Sequence, residues 1–221
     1  MGKLFIVATP IGNLEDMTLR ALRVLKEVDL IACEDTRVTR KLLAHYEIAT
    51  QVIAYHQHTS DDRIQKIIDE ILAGKNVAVV TDAGTPGVSD PGNILVAQAV
   101  ASGVDVLPIP GASAIASVIS IAGIDMQQFS FLGFPPHKKG RETYFKRVAA
   151  SDIPVIYYES PHRVIKNLEM LAKFSENKKI ILGRELTKMF EEVVRGSIFE
   201  VLEYFANNPS KIKGEFVIIV Y

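Results

Sequence analysis

The sequence predicts an α/β fold built around parallel strands. Two observations carry this prediction. Short apolar runs alternate with patterns typical of amphipathic helices through the first half of the 221-residue chain. Several of the runs are apolar throughout, as expected for strands that are covered by helices on both faces. Alternation of this kind joins parallel strands through right-handed crossover connections.

Nine apolar runs are predicted strands. They are Leu4–Ala8, Leu30–Cys33, Val52–Ala54, Val77–Val80, Val104–Leu107, Phe129–Leu132, Val155–Tyr158, Ile180–Leu182 and Phe216–Val220. Helices are predicted near residues 18–27, 36–46, 61–73, 91–102, 112–122 and 140–149. Gly74 and Gly103 follow helical patterns, where glycine commonly ends a helix. Asp90-Pro91 and Ser160-Pro161 each predict an N-cap followed by proline in the first helical position.

The order of the elements changes after Pro108–Gly111, and this change predicts two α/β domains, residues 1–111 and 112–221. The net charge of the chain is −1, but residues 1–111 carry −4 and residues 112–221 carry +3. A site for a polyanion is therefore expected on the second domain.

The composition indicates a globular protein, because 48% of the residues are hydrophobic and 23% are charged. The single cysteine, Cys33, lies in an apolar run and excludes a disulfide within the chain, which favours a reducing cytoplasm. The apolar stretch that ends at Ala8 is too short for a signal peptide core or a membrane span. No association with membranes is expected.

Several classes of site are disfavoured by the absence of their motifs. The sequence contains no phosphate-binding P-loop, no dinucleotide fingerprint after the first strand, no H-E-x-x-H pair and no G-x-S-x-G elbow. His56 and His58 alone, without cysteine partners, are a weak metal signal, and a polar loop is the favoured interpretation. No metal is predicted.

Three loops rich in small residues follow predicted strands. The longest, Thr81–Gly92, follows Val77–Val80, and the other two are Thr9–Leu14 and Ile109–Ala114. Ligands of open α/β sheets bind at the carboxyl ends of the strands. Glycines there let a ligand approach the backbone closely, and loops of this kind suit an adenosyl or nucleotide group. For the Thr81–Gly92 loop, the alternative is a tight turn that leads into the next helix.

A charged segment, Glu34–Lys41, follows the second strand and opens a helix. Arg37, Arg40 and Lys41 share one helix face through their i, i+3, i+4 spacing and could contact phosphates, or could form an ordinary solvated face. Asp35 is equally compatible with an N-cap and with a catalytic role.

A second basic segment, residues 137–147, carries five basic side chains and one acidic side chain. Its cations include Lys138, Lys139 and Arg141, and it follows Phe131 and Phe134. Cations beside exposed aromatic rings suit an RNA surface, whereas the alternative is a charged helix start exposed to solvent.

Eight motifs together carry a resemblance to a known family. In chain order they are residues 9–14, 34–37, 81–92, 110–114, 131–134, 158–163 (Tyr-Glu-Ser-Pro-His-Arg), 183–188 (Gly-Arg-Glu-Leu-Thr-Lys) and 213–216 (Lys-Gly-Glu-Phe). In this order they closely resemble the ribosomal RNA small subunit methyltransferase I family, the 16S rRNA cytidine-2′-O-methyltransferases of the tetrapyrrole methylase superfamily. The resemblance covers essentially the whole chain. Members often continue past the last strand, whereas this chain ends at Tyr221.

The resemblance implies a two-domain tetrapyrrole-methylase-like fold with a mostly parallel N-terminal sheet, a mixed C-terminal sheet and a cleft between the domains. It also implies a homodimer, S-adenosylmethionine as methyl donor, and small-subunit ribosomal RNA or the assembled 30S subunit as partner. The implied donor-binding residues lie in the loops and in the second domain: Pro10, Gly84, Thr85, Gly87, Val88, Ser113, Ala114, Tyr158, Arg184 and Gly214. The implied RNA-binding residues are the cations of the two basic segments: Arg37, Arg40, Lys41, Lys138, Lys139 and Arg141.

A ribose hydroxyl is a poor nucleophile at neutral pH, so a general base is expected. The catalytic candidates at strand ends are Glu34, Asp35 and Asp82. His56 is a further candidate that ranks after these three. Two rival functions stay open at this point: methylation of carbon atoms in a tetrapyrrole precursor, and a non-catalytic module that binds RNA or another ligand.

Overall fold

The computed structural model describes residues 1–57, 59–175 and 177–221, and His58 of the weak metal signal lies outside the described residues. The chain divides into two compact units, Met1–Ser113 and Ala114–Tyr221. The predicted boundary lies two residues before this division.

The first unit contains a five-stranded, fully parallel sheet. Its strands are β1 (Lys3–Val7), β2 (Leu30–Cys33), β3 (Val52–Ala54), β4 (Val77–Val80) and β5 (Asp105–Ile109). Their order is β3-β2-β4-β1-β5, and every neighbouring pair is parallel. All five carboxyl ends therefore meet at the same edge, with the ends of β4 and β5 on either side of the end of β1.

Helices cover both faces of this sheet. They are α1 (Leu19–Glu27), α2 (Thr36–His45), α3 (Asp61–Leu72) and α4 (Asn93–Ala101), with a single 3-10 turn at Leu14–Asp16. Alternate residues of the buried strands face two separate clusters. Ala32 and Val79 pack with α3 and α4, whereas Ile31 and Val80 pack with α1 and α2. This burial on both faces explains the uninterrupted apolar runs of β2 and β4.

The second unit is built on a mixed sheet. Its strands are β6 (Ser130–Phe131), β7 (Val155–Glu159), β8 (Lys179–Arg184), β9 (Glu192–Ser197) and β10 (Phe216–Val220), in the order β6-β7-β10-β8-β9. Only β6 and β7 pair in parallel, and the other three pairings are antiparallel. The helices are α5 (Ala114–Ser120), α6 (Arg141–Ala149), α7 (Val164–Ala172) and α8 (Ile198–Asn207), with a 3-10 turn at Pro209–Lys211.

The nine predicted strands and six predicted helices are all present, with ends displaced by two residues or fewer. The predicted cap at Asp90-Pro91 is wrong, because α4 begins at Asn93. The carbonyl of Pro91 instead accepts a hydrogen bond from the N–H of Gly87 at 3.2 Å, so Pro91 closes the glycine-rich turn. The cap at Ser160-Pro161 is also misplaced, because Ser160 starts a turn and α7 begins at Val164.

None of the helices within the described residues is long and apolar enough to cross a membrane.

Candidate functional site

The loops after β1 and β4 are joined through their main chains. Thr9 and Gly84 form a two-way pair in which the Thr9 N–H donates to the Gly84 carbonyl at 2.9 Å and the Gly84 N–H donates to the Thr9 carbonyl at 3.0 Å. Thr9 is 1% exposed, and its hydroxyl also donates to the Thr81 carbonyl at 3.1 Å. These bonds hold the two loops in one arrangement.

The loop after β5 packs against the same two loops. The Thr85 hydroxyl donates to the Ala112 carbonyl at 3.3 Å. A Cβ atom added to Gly84 would lie 3.4 Å from Ile11 Cγ2, and one added to Gly111 would lie 3.0 Å from Ala8 Cβ. Glycine at 111 therefore allows a close approach to Ala8, and the three loops consist largely of main-chain groups and small side chains.

Six of the ten predicted donor-binding residues belong to these loops: Pro10, Gly84, Thr85, Gly87, Val88 and Ser113. Gly84 adopts a left-handed φ of 81°, a conformation that costs an L-residue about 1–2 kcal/mol. A role for these six residues in donor binding stays a prediction.

The other four predicted donor-binding residues lie in the second unit. Ala114 begins α5, and Tyr158 packs against the rings of Phe131 and Phe134. Arg184 is buried and donates to the Phe190 carbonyl at 3.1 Å and to Glu192 at 3.4 Å.

A Cβ on Gly214 would lie 2.2 Å from the carboxyl group of Glu185, so packing within the unit explains this glycine. A role for these four residues in donor binding stays a prediction.

Asp35 caps helix α2. Its carboxylate accepts from the N–H of Arg37 at 2.8 Å and forms an ion pair with the Arg37 guanidinium at 2.6 Å. These hydrogen bonds hold the pKa of Asp35 well below its usual range. A carboxylate of such low basicity accepts a proton poorly, so its predicted catalytic role is the weakest of the three.

Glu34 and Asp82 have the opposite electrostatics. Burial raises the pKa of Glu34, and the nearby charge of Asp82 raises it further. Although Asp82 is exposed overall, partial desolvation of its carboxyl group raises its pKa, while a hydrogen bond from the Asp35 N–H at 3.1 Å opposes this. Raised carboxyl pKa values near a strand-end loop are typical of a general base.

The predicted RNA-binding cations are found in both units. Arg37, Arg40 and Lys41 lie on exposed positions of α2, which starts at the carboxyl edge of the sheet, and Arg37 is engaged by Asp35. In the second unit Lys138 and Lys139 are exposed in the turn before α6, and Arg141 is its first residue. Their role in RNA binding stays a prediction.

The sequence reading missed a buried polar network in the second unit. Glu159, 2% exposed, forms an ion pair with Arg163 at 3.2 Å and accepts a hydrogen bond from the Asn167 side-chain amide. Arg163 in turn donates to the Pro135 carbonyl at 3.1 Å. The i, i+4 spacing of Glu159 and Arg163 is visible in the sequence, but it gives no sign that this carboxylate is buried.

Among the described ranges, no group of three or more His, Cys, Asp or Glu side chains could hold a metal ion.

Comparison with protein families gives a match over residues 3–202 to the family described as Tetrapyrrole (Corrin/Porphyrin) Methylases. The chain is also similar to solved structures at low identity. Diphthine synthase superposes with a TM-score of 0.77 at 14% identity, covering 99% of this chain and 89% of that one. Cobalt precorrin-4 methyltransferase superposes with a TM-score of 0.70 at 17% identity, covering 99% and 94%. The family match shows a methyltransferase of the tetrapyrrole methylase class, and the superpositions confirm the predicted fold class.

Curated relatives narrow the class further. Proteins named ribosomal RNA small subunit methyltransferase I are similar over nearly the whole chain. That of Halalkalibacterium halodurans is 44% identical over 99% of this chain and 75% of its own length. Those of Vibrio cholerae (44%, 99% and 76%) and Synechocystis (43%, 100% and 79%) are comparable. The chain belongs to the ribosomal RNA small subunit methyltransferase I family.

The joining of the loops by Thr9 is open to a direct test. Replacing Thr9 by Val keeps the volume but removes the buried hydroxyl, so the Thr81 carbonyl loses a donor. We expect the free energy of unfolding in urea to fall by about 1 kcal/mol. Thr143→Val, at an exposed position of α6, is the control and should be near neutral. Equal stabilities of the two variants would contradict the importance of the Thr9 hydroxyl.

Proposed function

We propose that the protein transfers the methyl group of S-adenosylmethionine to the ribose 2′-hydroxyl of a cytidine in 16S ribosomal RNA, within the small subunit. The observation that carries the proposal is the convergence of three strand-end loops through Thr9, Gly84 and Ala112. The proposal is supported by the 44% identity to a protein named ribosomal RNA small subunit methyltransferase I. The protein acts in the cytoplasm as a homodimer in this proposal.

The loops after β1, β4 and β5 hold the donor. S-adenosylmethionine, when bound, supplies a methyl group that its sulfonium already activates. The Thr9–Gly84 pair and the Thr85–Ala112 bond fix the backbone of these loops, and their small side chains leave room for the adenosyl part. Because the loops are joined before binding, little ordering is needed when the donor arrives.

Glu34 or Asp82 acts as the general base that accepts the proton of the ribose hydroxyl, or orients the ribose. Both follow strands at the edge where the donor loops lie, and both carboxyl groups have raised pKa values. Asp35 positions them instead: its N–H donates to Asp82, and its carboxylate caps the helix that begins beside Glu34. A positioned base contributes roughly 10²- to 10⁴-fold to the rate.

The assignment of the base is tested by single-turnover methylation across pH. The rate should rise with pH as the carboxylate loses its proton. Because its pKa is raised, this rise should occur above the ordinary carboxyl pKa of about 4. Glu34→Gln or Asp82→Asn should lower the plateau by roughly 10²-fold or more. The control, Asp105→Asn, lies at the opposite end of its strand. Wild-type rates in both site variants would remove these residues from the chemistry.

The donor loops are tested by Gly84→Ala with Gly74→Ala as the matched control. Both glycines have positive φ values, 81° and 107°, so both variants carry backbone strain. Only the methyl at 84 enters the space between Ile11 and Ala112, since nothing lies within 4 Å at Gly74. Calorimetry should show S-adenosylmethionine affinity lowered on the order of tenfold for Gly84→Ala and unchanged for Gly74→Ala. Equal affinities would contradict donor binding at these loops.

The reaction itself is tested with labelled S-adenosylmethionine and small ribosomal subunits from a strain that lacks the enzyme. The protein should incorporate label into 16S RNA at a ribose 2′-oxygen of cytidine. A porphyrinoid precursor offered in parallel should stay unlabelled. Label in the porphyrinoid would favour the tetrapyrrole methylation rival, and donor binding without transfer to either substrate would contradict the proposal.

A further inference from the structure

Phe134 is 52% exposed although the loop that carries it is held by hydrogen bonds on both sides. The N–H of Tyr158 donates to the Gly133 carbonyl at 3.1 Å, and Arg163 donates to the carbonyl of the buried Pro135 at 3.1 Å. Gly133 is thus bonded to β7 of the second unit, and Pro135 is bonded to the turn before α7. The exposure of this ring follows from a fixed loop geometry.

The anchor of this loop is a buried ion pair. Arg163 lies 3.2 Å from the carboxylate of Glu159 and donates to the Ser160 hydroxyl at 3.2 Å. Asn167, fully buried, donates to the second oxygen of Glu159. A buried ion pair of this kind holds a defined geometry, because any displacement leaves a charge without its partner.

Phe134 also belongs to an aromatic cluster. Its ring centroid lies 5.3 Å from that of Tyr158, which in turn lies 5.1 Å from that of Phe131. These contacts support one part of the Phe134 ring and leave half of its surface in water. A rigid, supported and half-exposed ring is a suitable surface for a second planar group.

Cations follow this ring closely along the chain. Lys138 is four residues from Phe134, which limits their Cα separation to about 14 Å. Lys138, Lys139 and Arg141 form no ion pair within the part of the chain that the structure describes. In contrast, Lys146 of the same basic segment pairs with Glu142.

Other exposed phenylalanines have different surroundings. Phe199 of α8 is 55% exposed but precedes Glu200 and Glu203, and Phe190 adjoins Glu191 and Glu192. Phe134 therefore combines an exposed ring with a surplus of positive charge. Single-stranded RNA, with stacking bases and a phosphate at every nucleotide, matches this combination.

We propose that Phe134 stacks on an unpaired base of the RNA substrate while Lys138 and Lys139 contact the flanking phosphates. This inference rests on the proposed RNA methylation and adds a positioning surface to it. Phe134 takes no part in donor binding in this proposal.

The test compares Phe134→Ala, Phe134→Trp and the control Phe199→Ala. Affinity for small ribosomal subunits that lack the modification is measured over a salt series, and S-adenosylmethionine affinity by calorimetry. We expect Phe134→Ala to weaken subunit binding about 5- to 150-fold at every salt concentration without changing the salt slope. Phe134→Trp should bind the subunits with an affinity close to that of the wild type, because its larger ring also stacks. Lys138→Gln should lower the slope by about one, since one phosphate contact is lost.

The outcomes separate the inference from the function on which it rests. Wild-type methylation with unchanged subunit binding by Phe134→Ala overturns stacking and leaves the proposed function intact. Weakened S-adenosylmethionine binding by Phe134→Ala also overturns it, because the ring would then serve the donor. If Phe134→Ala fails to fold, Phe134→Leu replaces it, and affinity equal to wild type overturns the proposal. Absence of methylation by the wild-type protein would overturn the function itself.

Discussion

The main-chain pair between Thr9 and Gly84 is the interaction on which the site depends. It forms only because β4 and β1 are neighbours in a parallel sheet, so that the loops leaving them start side by side. The hydroxyl of Thr85 then adds the loop after β5 through Ala112. Three segments distant in the sequence act as one surface, and it is made of backbone and small side chains. This composition favours recognition of a ligand by main-chain hydrogen bonds.

Carboxylates with lowered and with raised pKa values lie at the same edge of the sheet. Arg37 stabilises the charge of Asp35, which therefore serves the start of α2 and the placement of Asp82. Glu34 and Asp82 lose part of their hydration, and this desolvation outweighs the nearby charges of His56 and Arg37, so their pKa values rise. Because folding raises these pKa values, the folded protein binds protons more tightly than the unfolded chain. Its stability therefore falls as the pH rises from the unfolded pKa values through the raised ones. Such a loss of stability is typical of a functional site.

Much of the fold is predictable from the sequence, for identifiable reasons. The strands β2 and β4 are buried on both faces, so their apolar runs leave no ambiguity about their position. The edge strand β9 was missed because its residues Glu192–Ser197 are only partly buried and mix charged with apolar side chains. The predicted helix start at Asp90-Pro91 failed because hydrogen bonding between Pro91 and Gly87 is a tertiary feature of the turn. The position of the three loops at the strand ends is predictable from the sequence, whereas donor binding by them stays a prediction. The electrostatics are not predictable, since the burial of Glu34 and Glu159 depends on packing.

Amide hydrogen exchange with and without S-adenosylhomocysteine tests donor binding by the joined loops most directly. This demethylated product lacks the transferable methyl group, so binding is measured without reaction. Slower exchange should be confined in the first unit to residues 9–13, 84–88 and 110–113. Unchanged exchange in all three segments at saturating S-adenosylhomocysteine, with slowing elsewhere in the unit, would contradict the site.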